Sequence, residues 1–173
     1  TDVDPAAIVN QRQDSKALGI FGSVNYVTDS GLTLQAGARW NHDKKPLDAE
    51  RLFDVRPLVV GGGPVPETTT KVKDSQLTWD VSALQELNPD VNVYARVAKG
   101  YRAPAIQGRI LFDREVSTAD SERTMSYEAG IKTLLLDKKL RFNLGVYLFN
   151  TKDLQLTAVG GANNLTTLLN AAK

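Results

Sequence analysis

The sequence predicts an all-β protein: an antiparallel up-and-down meander of long amphipathic strands, forming an incomplete segment of a transmembrane β-barrel. Three observations carry that expectation. Apolar and polar residues alternate with period 2 over long stretches, as they do when successive side chains of a strand point to opposite faces. The connections alternate between short turns and long loops, which describes a meander whose two rims face different surroundings. The alternating stretches reach the ~9 to 11 residues that a tilted strand needs to cross a bilayer, against about 5 to 6 for an ordinary strand.

The elements follow in order. Residues 14 to 28 gather Leu18, Ile20, Val24 and Tyr26 on one side. Residues 32 to 42 set Leu32, Leu34, Ala36, Ala38 and Trp40 against Thr33, Gln35, Gly37, Arg39 and Asn41. Residues 74 to 86 align Leu77, Trp79, Val81 and Ala83, and residues 91 to 98 align Val91, Val93, Ala95 and Val97. Residues 124 to 136 oppose Met125, Tyr127, Ala129, Ile131 and Leu135 to Ser126, Glu128, Gly130 and Lys132. Residues 140 to 150 oppose Leu140, Phe142, Leu144, Val146 and Leu148 to Arg141, Asn143, Gly145 and Tyr147. About six strands result, with a seventh expected to begin near Asn170.

Asp29-Ser30-Gly31, Leu87-Asn88-Pro89-Asp90 and Asp137-Lys138-Lys139 are built of turn-forming residues. Long connections are expected over residues 43 to 69, 99 to 123 and 151 to 169, with breakers at Gly61-Gly62-Gly63-Pro64-Val65-Pro66 and Gly160-Gly161-Ala162-Asn163-Asn164. A soluble antiparallel sheet with one wet face also alternates. A soluble β-sandwich or small-barrel ligand-binding module therefore stays open here. It requires the apolar sides of Leu34, Trp79, Val93, Ile131 and Leu144 to meet in one closed core.

Composition narrows function more than fold. Lys plus Arg is 21 and Asp plus Glu is 20, a net charge of +1, which gives no electrostatic reason to expect nucleic acid as a partner. The absence of cysteine removes disulfides, thiol catalysis and cysteine-ligated zinc. No apolar run approaches the ~18 residues of a spanning helix. The stretch Thr1 to Gln13 has no basic region followed by an apolar core, so no signal peptide is visible. The expectation is a mature product or an excerpt from a longer chain.

One region carries a resemblance. Val93-Tyr94-Ala95-Arg96-Val97-Ala98-Lys99-Gly100-Tyr101-Arg102-Ala103-Pro104 is followed by Glu122, by Ser126-Tyr127-Glu128-Ala129-Gly130-Ile131-Lys132, and by Asp137. Leu140-Arg141-Phe142-Asn143-Leu144-Gly145-Val146-Tyr147, Asn150, Lys152 and Asp153-Leu154-Gln155-Leu156 complete the series. This order and spacing resembles the carboxyl-terminal part of the barrel of TonB-dependent receptors, closely over about half the chain. The resemblance implies an outer-membrane protein that imports a large scarce solute, such as a siderophore-iron chelate, cobalamin or a saccharide, with energy delivered by the TonB complex. It also implies a wider barrel closed by a plug domain that is not recognisable here. Outer-membrane lipid, the plug, the TonB complex and the solute are the expected partners.

Chemistry-bearing residues fall into two sets. Arg39, Asp80, Arg96, Glu128, Lys132 and Arg141 lie on polar faces and are expected to face the lumen, where a charge needs water or a partner. Ion pairing that neutralises a polar wall is the expected role, rather than contact with the solute. Tyr101, Arg102, Gln107 and Arg109 fall in an expected outer loop and are the candidate solute contacts, because arginine grips carboxylate or phosphate with two parallel bonds. His42, the sole histidine, lies beside Asp43 and lacks the ligand count of a metal site. No nucleophile motif accompanies it, and Gly61-Gly62-Gly63 lacks the lysine and hydroxyl of a phosphate loop. No enzyme, cofactor or metal site is expected. Gly100 and Pro104 are expected to end a strand, and Trp40 and Tyr127 suit the aromatic girdle of a membrane interface. The chain alone is expected to self-associate through its unpaired strand edges.

Overall fold

The computed structural model describes residues 7–54, 63–110, 115–160 and 165–171. Among these residues every regular element is a strand: β1 Ala7–Gln13, β2 Lys16–Val27, β3 Leu32–Asp54, β4 Val65–Asn88, β5 Val91–Arg102, β6 Ala105–Gln107, β7 Ser117–Ala119, β8 Glu122–Leu135, β9 Leu140–Lys152, β10 Gln155–Gly160 and β11 Leu165–Asn170. All pairings are antiparallel. The large sheet runs in the order β1-β3-β4-β5-β8-β9, with β2 also on β3, and it is curled like half a barrel.

β1 and β2 form one long strand in two pieces. Gln13 faces Leu47 and Lys16 faces Lys44, so the register carries across the gap at Asp14-Ser15. The break falls opposite Pro46, which has no ladder donor; Asp14 still donates its N–H to the Pro46 carbonyl at 3.2 Å. With β1 and β2 joined, the sheet is the six-strand meander the alternation predicts.

The turns at one rim are tight. Thr28 Oγ1 accepts the Leu32 N–H at 3.1 Å, and Gly31 supplies φ of +78°, a conformation glycine tolerates. Asn88 Oδ1 caps the Asp90 N–H at 3.0 Å. Leu136, Asp137 and Lys138 all take positive φ in the third turn, and the Lys139 N–H bonds the Leu136 carbonyl at 3.1 Å.

The other rim departs from expectation. Residues 43 to 69 are mostly strand, because β3 and β4 pair continuously up to Ala49 and Thr68. Thr68, Thr69, Thr70 and Val72 are β-branched and suit a pleated surface; with Thr and Lys at most positions of both faces, the stretch shows no apolar alternation. β5 runs through Gly100, which pairs with Thr124, so Gly100 does not end the strand, whereas Pro104 lies just past it. The expected loop 99–123 contains the β6–β7 hairpin and the loop 151–169 contains β10 and β11. Asn170 closes β11, facing Gln155, rather than opening a seventh long strand. Gly61-Gly62 and Gly161-Ala162-Asn163-Asn164 lie outside the described residues.

Register joins the predicted apolar sides into one surface. Tyr26, Leu34, Ala83, Ala95, Ala129 and Val146 form one cross-strand row, and Val24, Ala36, Val81, Val97, Tyr127 and Leu148 the next. Leu34, Trp79, Val93, Ile131 and Leu144 lie on this same side, and Leu144 is 56% exposed. No second sheet covers it among the described residues. The soluble sandwich, which needs a closed core of these residues, is thereby set aside. The buried hydrophobic cluster is small and lies at the long-loop rim: Leu47, Ala49, Val65 and Ile110, with Val9, Ile106 and Val116 against it.

Candidate functional site

The side opposite the apolar rows is polar and lines a trough of about 570 Å³. Arg39, Asp80, Arg96, Glu128, Lys132 and Arg141 all fall on it by register, since Arg39 faces Thr78, Asp80 faces Ala98, Arg96 faces Glu128, Lys132 faces Asn143 and Arg141 faces Leu134. Asp80 and Arg96 form an ion pair at 3.7 Å. Three of the four other charges are engaged differently from the expected ion pairs. Glu128 accepts the Tyr94 hydroxyl at 2.7 Å, Lys132 sits 5.3 Å over the Tyr94 ring, and Arg39 lies 5.6 Å over Phe21 while donating to Asn41 at 2.7 Å.

Tyr94 explains the glycine in the Tyr-Glu-Ala-Gly motif. It faces Gly130 across the sheet, and Gly130 faces Gly145. A Cβ on Gly130 would come within 2.6 Å of the Tyr94 ring and 2.5 Å of the Leu144 carbonyl. Only glycine allows the ring to lie flat there and reach Glu128.

A second constellation stands at the long-loop rim. The Tyr101 hydroxyl donates to Asp43, and the Ser121 hydroxyl to Asp74; Arg123 pairs with Asp153. Burial and the bonded Asp43 carboxylate push the Tyr101 phenol well above its ordinary range. Burial works to raise Asp74, but bonds from Ser121, Gln76 and the Ser75 N–H, with the charge of Arg123, hold it below its ordinary value. Gln155 is buried and donates to the Ala103 and Asp120 carbonyls, each at 2.9 Å. Asn170 donates to the Asp153 and Asp120 carbonyls at 2.6 and 3.0 Å. These bonds bracket the β10–β11 hairpin against β5, β7 and β8.

The buried Arg51 guanidinium lies 3.6 Å from the Asp54 carboxylate, with both side chains sealed from solvent. It donates to the Gly63 carbonyl at 2.7 Å and the Ile110 carbonyl at 3.1 Å. One side chain thus ties Gly63, just ahead of β4, to Ile110, past β6.

The candidate solute contacts do not converge as a group. Tyr101 and Arg102 belong to β5 rather than a loop; Tyr101 is engaged by Asp43, and Arg102 lies 3.9 Å from Glu122. Gln107 ends β6 and accepts the Arg109 N–H at 3.1 Å, leaving Arg109 exposed beside it. His42 faces the apolar side, stacked on Trp40 at 5.9 Å and bonded to Ser75 at 2.8 Å. Asp43, Asp74, Arg51 and Gln155 escaped sequence reasoning. The parity that puts Gln76 and Asn41 on the polar side also puts Asp74 and Asp43 there: Asp74 opens the predicted strand 74 to 86, and Asp43 lies one residue past the predicted strand 32 to 42.

A curled antiparallel sheet with an exposed apolar face, a charged face and one rim of tight turns is the wall of a membrane-spanning β-barrel. The family described as TonB dependent receptor-like, beta-barrel matches residues 1–173. The chain belongs to that family, and so to the outer membrane. Its family is one of transport receptors and not of enzymes. The pesticin receptor of Yersinia pestis is 24% identical over 159 residues, covering 92% of this chain and 22% of that protein; the Yersinia enterocolitica pesticin receptor matches to the same extent. The chain therefore spans about a fifth of the length of these relatives. Among solved structures, the ferric yersiniabactin uptake receptor FyuA from Yersinia pestis superposes with a TM-score of 0.72 at 21% identity, over 86% of this chain and 22% of that one. The ferric-catecholate import receptor Fiu from Escherichia coli K12, in its closed form, does so with a TM-score of 0.58 at 19% identity, over 93% and 24%.

Proposed function

We infer that the complete protein imports a large iron chelate of the siderophore class, and that this chain supplies part of its barrel wall. The plug domain and the TonB complex are its partners in that work. The likeness to receptors for ferric yersiniabactin and ferric catecholates supports the solute class. The observation that carries the reading is the placement of six ionisable side chains on the face turned away from the apolar rows, which suits a wall facing plug and water. On this reading Arg39, Asp80, Arg96, Glu128, Lys132 and Arg141 are lumen-facing. Arg102, Gln107 and Arg109 meet the solute at the mouth, while Tyr101, held by Asp43, shapes it.

The test is growth of an iron-starved host lacking its own siderophore receptors and carrying the full-length gene, supplied with single ferric siderophores. Rescue that requires TonB is expected. Replacing Arg102, Gln107 and Arg109 together by Ala should raise the chelate concentration needed at least tenfold. Rescue by none of a panel of hydroxamate, catecholate and mixed chelates would overturn the solute class.

A further inference from the structure

Just above the apolar rows, toward the long-loop rim, three lysines stand side by side on the lipid-facing surface. Lys16 of β2 faces Lys44 of β3, and Lys44 faces Lys73 of β4. Their parity is that of Ile20, Trp40 and Leu77, and all three are exposed. Adjacent strands are ~4.8 Å apart, so three ammonium groups share a row roughly 10 Å wide. Like charges directly opposite across a sheet repel one another. Among the described residues none of the three has a hydrogen bond or ion pair; the carboxylate one step along β2's line, Asp14, is taken by Arg12 at 3.8 Å. Lys71, next along β4 on the same side, adds a fourth cation. The intervening row, Leu18, His42 and Ser75, changes from apolar to polar within one step, with His42 stacked on Trp40. The cations therefore sit at the depth where hydrocarbon gives way to headgroups.

We propose that the Lys16–Lys44–Lys73 row binds phosphorylated headgroups of lipids in the leaflet on the long-loop side, the lipid's chains lying against Ile20, Trp40 and Leu77. A phosphate between two ammonium groups relieves their repulsion, and the apolar row beneath distinguishes an anchored lipid from a free anion. The site is independent of which solute the receptor carries.

The test uses the full-length receptor in dodecyl maltoside, with native mass spectrometry of bound lipid A, a bis-phosphorylated glycolipid. Its dephosphorylated form and inorganic phosphate are the comparison probes. At about fivefold per cation, the K16Q/K44Q/K73Q variant should bind lipid A roughly 100-fold more weakly. K16R/K44R/K73R should retain binding, as should K138Q/K139Q at the opposite rim. Heat-modifiable electrophoretic mobility reports whether each variant folds; should the triple variant fail, K44Q alone is expected to show a fivefold loss. Undiminished binding by the folded Gln variant overturns the proposal. So does equal binding of dephosphorylated lipid, or displacement of lipid A by millimolar inorganic phosphate. Iron-chelate rescue by the same variants separates this outcome from failure of the import reading, since lipid binding can be lost while rescue persists.

Discussion

Asp74 and Tyr101 hold the rim through groups that titrate at opposite ends of the pH scale. The folded value of Asp74 lies below its ordinary 3.8, so its stabilisation is complete above that pH and is lost as pH falls through the lower folded value. Tyr101 is raised above its ordinary 10.0; its stabilisation is complete below pH 10.0 and is lost only as pH rises through the folded value. The rim should therefore stay closed between about pH 4 and 10. Pepsin cleavage between β7 and β8 should appear only as pH drops below that window, and Asp74→Asn should blunt the change by removing the titrating group. None of these partners was legible as a pair in the sequence. Asp43 stands just past the alternating stretch 32 to 42 and Asp74 at the first position of the stretch 74 to 86, so neither is flanked on both sides by the pattern that marks a face. Glu128 and Gly130 were legible as a polar pair on one face, but their shared neighbour Tyr94 lies on another strand, which only register reveals.

At the scale of elements, the long-loop rim behaves as folded structure. Its cohesion rests on the cluster around Leu47 and Ile110 and on the Arg51–Asp54 pair inside it. Removing one partner of a buried pair leaves the other uncompensated, at about 3–5 kcal/mol, so Arg51→Ala should loosen the rim at both Gly63 and Ile110. Hydrogen exchange should quicken together at Gly63 and Ile110. The double substitution Arg51→Met with Asp54→Leu leaves no buried charge and should recover stability but not the joint protection, since methionine cannot donate to the Gly63 and Ile110 carbonyls; independent exchange at the two positions in the unaltered protein would show that they are not coupled. The sequence announced six lipid-crossing strands because one face of each had to be apolar. It was silent on β6, β7, β10 and β11, which at three to six residues are too short to show a period, and on β1, which is parted from β2 opposite Pro46.

At the scale of the whole molecule, the sheet has, among the described residues, two margins without a partner strand, the β1–β2 line and β9, and one face made for hydrocarbon. Unpaired strand edges template association, and an apolar patch of this extent is not tolerated by a soluble monomer. The 173-residue chain expressed alone should scatter light as oligomers in buffer; a stable monomer without detergent would contradict the barrel assignment. The meander and the lipid face were legible at this scale, since both follow from period and strand length. The solute was not, because period and strand length describe the wall and carry no information about what passes it.

β3 and β4 are paired over nearly twice the ~9 to 11 residues that the bilayer requires. The surplus makes a stiff mast that carries its tip clear of the lipid and holds it at a set height. The rim that Leu47, Ala49 and Val65 share with Ile110 is then what large visitors from the medium meet first. An epitope spliced at that rim should be readable by antibody on living cells.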